Sequence, residues 1–139
     1  MSERPGDDDA HDGGGVGSDG RLDPTWRAVL AAAWVGAFLC YAAVWQASVQ
    51  IGIATWWVGP RGDPSSIVVR LAPFVVALAI VLHLIYQRPH AIVLSAVGVA
   101  ASFALAVPDM SRSTGLATTE LAIAALLGVV TASAAVGRR

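Results

Sequence analysis

After Arg27 the chain alternates long apolar runs with short polar breaks, and the length of the runs sets the fold class more firmly than any period within them. Apolar residues dominate positions 28–50, 67–86, 91–107 and 116–136, with few charges inside. Each run approaches the roughly 20 residues an α-helix needs to cross about 30 Å of hydrocarbon. The pattern predicts an all-α membrane protein, a four-transmembrane-helix bundle over 23–139. A disordered cytoplasmic tail is expected over 1–22, because Asp7, Asp8 and Asp9 followed by Gly13, Gly14 and Gly15 offer nothing to bury against the entropy of ordering. The tail is acidic and lacks the basic start and short apolar core of a signal peptide, so the first span is expected to remain as an anchor.

The polar breaks carry helix-start chemistry. Asp23-Pro24 and Asp63-Pro64 each place a capping side chain before a proline whose missing N–H costs nothing at a first helical position. The stretch 28–58 is too long for one upright span, since at 1.5 Å per residue it would reach about 46 Å. The expected exit is near 46–50, with 51–58 lying along the interface and Trp56 and Trp57 at headgroup level; a longer, strongly tilted helix is the alternative. Gly59-Pro60-Arg61-Gly62 reads as a turn. The link 88–90 is short enough to make the second and third spans antiparallel neighbours. Positions 108–115 form the last loop, where Ser113 or Thr114 can cap the fourth helix.

Charge then sets the orientation. Arg21, Arg27, Arg88, Arg138 and Arg139 flank the spans on one side, against Arg61 and Arg112 on the other. Positive residues favour the cytoplasmic face, so both termini are expected inside, in the cell (inner) membrane.

Composition agrees. Hydrophobic residues make up 55% of the 139 and mean hydropathy is +0.62, above the ordinary globular level of about 45–50% apolar. The surplus is surface for the lipid bilayer. Net charge is −1, with the acidic residues concentrated in the tail, which speaks to orientation and gives no reason to expect a nucleic-acid partner. All nine basic side chains are Arg, and Lys and Asn are absent, a bias expected of a GC-rich genome. The stretch Ala54-Thr55-Trp56-Trp57-Val58-Gly59-Pro60-Arg61, followed by a second span containing Arg70, resembles uncharacterised small four-span integral membrane proteins of actinobacteria. That resemblance brings no activity with it.

Small residues at four-residue spacing mark candidate helix seams: Ala28, Ala32, Gly36 and Cys40; Gly98, Ser102 and Ala106; Ala124, Gly128 and Ala132. Such a ridge suits contacts within the bundle, a homo-oligomer or a larger partner. Cys40 is the sole cysteine, so an intrachain disulfide is impossible, and it reads as a small packing residue.

Few polar side chains lie deep in the spans. Arg70 and Glu120 sit at similar depth on the second and fourth helices, where an unpaired charge costs about 2.5–3.5 kcal/mol at the centre and less near the ends. An intramembrane ion pair between them is the expectation, with outward snorkelling of Arg70 as the alternative. His83, Tyr86, Gln87 and His90 gather near the other interface as polar anchors, and no second deep histidine faces His83, so no metal or cofactor is expected. The outer face gathers Trp56, Trp57, Arg61, Asp63, Asp109 and Arg112, of which Trp56, Trp57, Arg61 and Arg112 form a candidate docking surface for a larger protein; the plainer reading is an aromatic belt with solvated loops. No catalytic residue can be named. The expected role is non-enzymatic, an accessory or assembly partner of a larger membrane complex, and the alternative is an oligomeric transporter or channel component with Arg70 and Glu120 lining its pore.

Overall fold

Four apolar helices form, α1 (Pro24–Ile51), α2 (Ile67–Ile85), α3 (Ala91–Ala106) and α4 (Thr114–Val136), and each is long enough to cross a bilayer once α3 is taken with the helical continuation to Ser111. The computed structural model describes residues 22–60, 62, 63 and 65–137. The tail predicted over 1–22 lies outside these apart from Leu22, as do Arg61, Arg138 and Arg139. A 3-10 segment, Val107–Ser111, continues α3 before the chain turns into α4. Among the described residues the protein is all-helical, with the length and apolarity of a multi-pass membrane protein.

Each helix packs on its two neighbours, closing a ring in the order α1, α2, α3, α4 and back to α1. One end of the bundle holds the start of α1, the α2–α3 turn and the end of α4, and is called here the terminal end. The other, the loop end, holds the connection from α1 to α2 and the 3-10 segment.

Inward positions recur every three or four residues: Leu30, Trp34, Ala37, Tyr41, Val44 and Ser48 on α1; Pro73, Ala77, Ile80 and Leu84 on α2; Ala91, Ser95, Gly98, Ser102 and Ala106 on α3. On α4 the buried line runs from Ala117 and Glu120 through Ala124 and Leu127 to Thr131 and Ala134. Bulky aliphatics such as Leu39, Val75, Val93 and Leu126 point outward. That arrangement follows from lipid as the solvent. Apolar bulk gains little by leaving hydrocarbon, whereas close packing and buried hydrogen bonds need small or polar residues at the seams.

The predicted seams are met in part. Gly98, Ser102 and Ala106 are buried as expected, and so is Ala124. The α1 ridge is a correction: Ala28, Ala32 and Cys40 are exposed and Gly36 half-buried, because the bulky inward line from Leu30 to Ser48 takes the opposite face. Ala132 likewise faces outward.

Gly98 explains how a tryptophan fits the axis. A Cβ at that position would collide with Ile80 Cδ1 and the Trp34 ring. With only hydrogen there, Trp34 reaches across to the diagonally opposite helix and donates its indole N–H to Ser95 Oγ at 2.8 Å. Ser95 Oγ in turn shares a 2.9 Å hydrogen bond with Thr131 Oγ1. Three helices are thereby joined by polar contacts in the half of the bundle nearer the terminal end.

Local structure differs from expectation at two points. Asp23 does cap α1, accepting from the Thr25 N–H at 2.9 Å with Pro24 in the first turn. Asp63-Pro64, by contrast, precedes the start of α2, whose N-cap position is Ser66. The larger departure lies beyond α1, whose own end falls within a residue of the expected exit. α1 runs unbroken to Ile51 and stops at Gly52, whose φ of 81° is left-handed and whose N–H returns to Ser48 O. Ser48 Oγ fastens the turn by donating to Ile53 O at 2.6 Å. The chain then folds back into the bundle instead of running along an interface.

A buried carboxyl pair under a re-entrant tryptophan

Residues 53–58 form a plug in the loop end. Thr55 and Trp57 are fully buried and Val58 nearly so. A single turn shapes the plug: Gly59 N–H bonds to Thr55 O at 2.9 Å and Val58 N–H to Thr55 Oγ1 at 3.1 Å. Gly59 then has φ of 77°, and a Cβ there would collide with the backbone nitrogen of Ser65, so the reversal needs glycine. Ser65 ties the returning strand of chain to the plug, its N–H donating to Val58 O and its hydroxyl to Trp56 O at 2.9 Å.

Two adjacent tryptophans anchor the plug in different ways. Trp57 inserts between helices, ringed by Tyr41 and Trp45 of α1 and Phe74 of α2 at centroid distances of 6.4, 6.3 and 6.2 Å, all near-perpendicular. Its indole N–H reaches α4 and donates to Glu120 Oε1 at 2.9 Å. Trp56 faces α3 and the 3-10 segment. Its indole N–H donates to Leu105 O at 2.7 Å and its backbone N–H to Asp109 Oδ1 at 2.8 Å.

Asp109 and Glu120 are therefore held by consecutive residues, and both are fully buried. Their side chains lie within hydrogen-bonding reach of each other. Each uses one oxygen on a tryptophan donor, and the other oxygen, Asp109 Oδ2 or Glu120 Oε2, has no donor. Tyr41 packs edge-on against the Trp57 ring with its hydroxyl beside Ser102 but outside hydrogen-bond geometry, and Ser102 Oγ donates instead to Gly98 O at 3.0 Å. Arg112, three residues beyond Asp109, is exposed.

The expected Arg70–Glu120 ion pair does not form in this geometry. Glu120 turns inward to Trp57, while Arg70 Nε donates to Val58 O at 3.3 Å. Arg70 is half-buried and lines a loop-end cavity of about 210 Å³ with Ser48, Gly52, Ala54 and Pro60. Similar depth brought the two residues to the same end of the bundle, but the plug lies between them and supplies each with a different partner.

The candidate docking set divides in the same way. Trp57 is buried in the aromatic cluster and is not available to a partner, and Trp56 is partly buried with both its N–H groups engaged. Arg112 remains at the surface, and Arg61 lies outside the described residues. At the terminal end, His83 Nε2 lies 2.8 Å from Pro89 O, a local contact inside the α2–α3 turn.

From the sequence Asp109 reads only as one of the mixed charges of an outer face, and its burial beside Glu120 is what that reading misses. The signal was an acidic residue following Pro108 at the end of an apolar run, which resembles any solvated loop aspartate until the 3-10 segment turns it inward. No protein-family model matches the chain, and no curated protein or solved structure is significantly similar to it.

Proposed function

We propose that this is a non-enzymatic multi-pass protein of the cell membrane that acts as an accessory or assembly partner of a larger membrane complex. The observation that carries the reading is the filled axis. Trp34 and Tyr41 occupy the middle of the bundle and Trp57 closes the loop end, all three fully or almost fully buried. A solute path through a single copy would have to displace them. What the bundle leaves free is its outer surface, including the α1 stripe of Ala28, Ala32, Gly36 and Cys40, where a Cβ at Gly36 would meet nothing within 4 Å. Small residues that a protein does not use in its own seams are suited to close approach by another transmembrane helix. The alternative of an oligomeric pore lined by Arg70 and Glu120 is disfavoured by Glu120, which points into its own bundle.

The test is purification of the tagged protein from its native membrane in mild detergent, with identification of the chains that accompany it. A stoichiometric heteromeric complex is expected. A pure homo-oligomer that conducts ions or solutes in liposomes would overturn the reading. The same reading places both termini in the cytoplasm, from the Arg asymmetry. Reporter fusions at position 139 and within 108–115 are expected to report opposite sides, and an extracytoplasmic signal at position 139 would reverse the topology.

A further inference from the structure

The carboxyl pair at the loop end has a donor deficit that one additional particle would resolve. An ionised carboxylate only accepts hydrogen bonds. Asp109 Oδ1 takes the Trp56 backbone N–H and Glu120 Oε1 takes the Trp57 indole N–H, which leaves Asp109 Oδ2 and Glu120 Oε2 buried, without donors, on two groups within hydrogen-bonding reach of each other. Two adjacent negative charges in such a place repel one another at short range in a medium that screens poorly. Among the described residues no basic side chain forms an ion pair with either carboxyl, although Arg112 lies near enough to Asp109 to act on it through space. Arg70 is engaged at Val58 O and Arg112 is exposed.

Two occupants could neutralise the site. A divalent cation would want further oxygen ligands, and among the described residues no third His, Cys, Asp or Glu joins the pair. A proton needs only the two oxygens already present. Protonated, one carboxyl becomes a donor and the other remains its acceptor, a charge-assisted O–H···O bond between the two groups that removes the donor deficit. The single negative charge that remains is shared over groups already accepting from the two tryptophan N–H donors.

We propose that Asp109 and Glu120 are a proton-binding site in which one proton, shared between the two carboxyl groups, latches the plug of residues 53–58 and the 3-10 segment onto α4. The same two groups hold the plug through Trp56 and Trp57, so the proton and the plug are linked. Loss of the proton leaves two facing carboxylates, one on the 3-10 segment and one on α4, and their repulsion works against the contact that the plug bridges. Among the described residues, the charged or titratable groups facing the pair are Tyr41 from α1, which also packs on the Trp57 ring, and Arg112 beyond the 3-10 segment; α2 contributes Arg70, bonded to Val58 O, and α3 presents the uncharged Ser102. None of these supplies a donor to the orphaned oxygens. The inference concerns the single bundle and stands whether or not a partner complex exists.

Infrared difference spectroscopy of the purified protein in lipid nanodiscs, stepped across pH, tests this directly. The wild type is expected to show the C=O stretch of a protonated, apolar carboxyl group at neutral pH, shifted in D2O and lost as pH rises, with a concurrent change in tryptophan fluorescence as the plug loosens. Glu120→Gln and Asp109→Asn are near-isosteric, and each is expected to abolish the band, since each leaves a lone carboxylate beside an amide donor. Absence of the band in the wild type overturns the proposal without recourse to any variant. So does a band removed by only one of the substitutions, which would mark an isolated acid, or a band suppressed by Na⁺ at constant pH, which would mark the occupant as a small cation.

Discussion

Trp57 and Glu120 lie 63 residues apart in the chain, and the indole N–H of one meets the carboxylate of the other at 2.9 Å inside the bundle. This contact joins a re-entrant loop to α4 and decides the fate of the one acidic side chain within the fourth span. Trp57→Phe keeps the ring among Tyr41, Trp45 and Phe74 but removes the donor from a buried acceptor, a loss of about 1–3 kcal/mol. Thermal unfolding in detergent is expected to show a clear drop for Trp57→Phe and little change for Arg70→Ala. The reverse ranking would mean that Glu120 depends on Arg70 after all.

The sequence made the helices legible because span length is an unambiguous signal in an apolar chain. The four runs are matched by α1 to α4 to within a few residues at most ends. What it left unreadable was rotation about each helix axis. Ala, Val and Leu satisfy lipid and core alike, so the α1 ridge of Ala28, Ala32, Gly36 and Cys40 looked like a seam although Trp34 and Tyr41 define the true one. The plug was hidden for a related reason. Trp56 and Trp57 fit an interfacial belt as well as a buried anchor, and only the turn made by Gly52 and Gly59 sends them inward.

Gly98 and Gly36 offer a matched comparison of seam and lipid face. A methyl group at Gly98 would strike Ile80 and Trp34, whereas at Gly36 it meets open space. Gly98→Ala is expected to cost about 1–3 kcal/mol by overpacking, while Gly36→Ala leaves the isolated bundle unaffected or slightly more stable through helix propensity. Melting temperatures of the two variants in the same detergent check this. Equal effects would mean that Trp34 does not occupy the axis beside α3.

The polar relay from Trp34 through Ser95 to Thr131 links α1, α3 and α4 in the half of the bundle nearer the terminal end. Buried interhelical hydrogen bonds in membranes contribute about 0.6 kcal/mol on average and up to about 1.7 kcal/mol. Ser95→Ala breaks both contacts and is expected to lie at the upper end of that range. Thr131→Val breaks only one, so it should cost less, and in the Ser95→Ala background it should cost almost nothing further. Fully additive losses in the double variant would show that Ser95 and Thr131 act independently.

Tyr41 completes the aromatic cluster but gains nothing evident from its hydroxyl, which is buried without a hydrogen-bond partner next to Ser102. Removing an unsatisfied buried polar group relieves a desolvation penalty, whereas removing a bonded one exposes the partner, so the two cases differ in sign. Tyr41→Phe preserves the ring against Trp57 and is expected to leave stability unchanged or to raise it by about 1 kcal/mol. The thermal midpoint of this variant, compared with Ser102→Ala, separates the cases. A fall in both, with no further loss when they are combined, would establish a Tyr41–Ser102 hydrogen bond and assign the hydroxyl a structural role between α1 and α3.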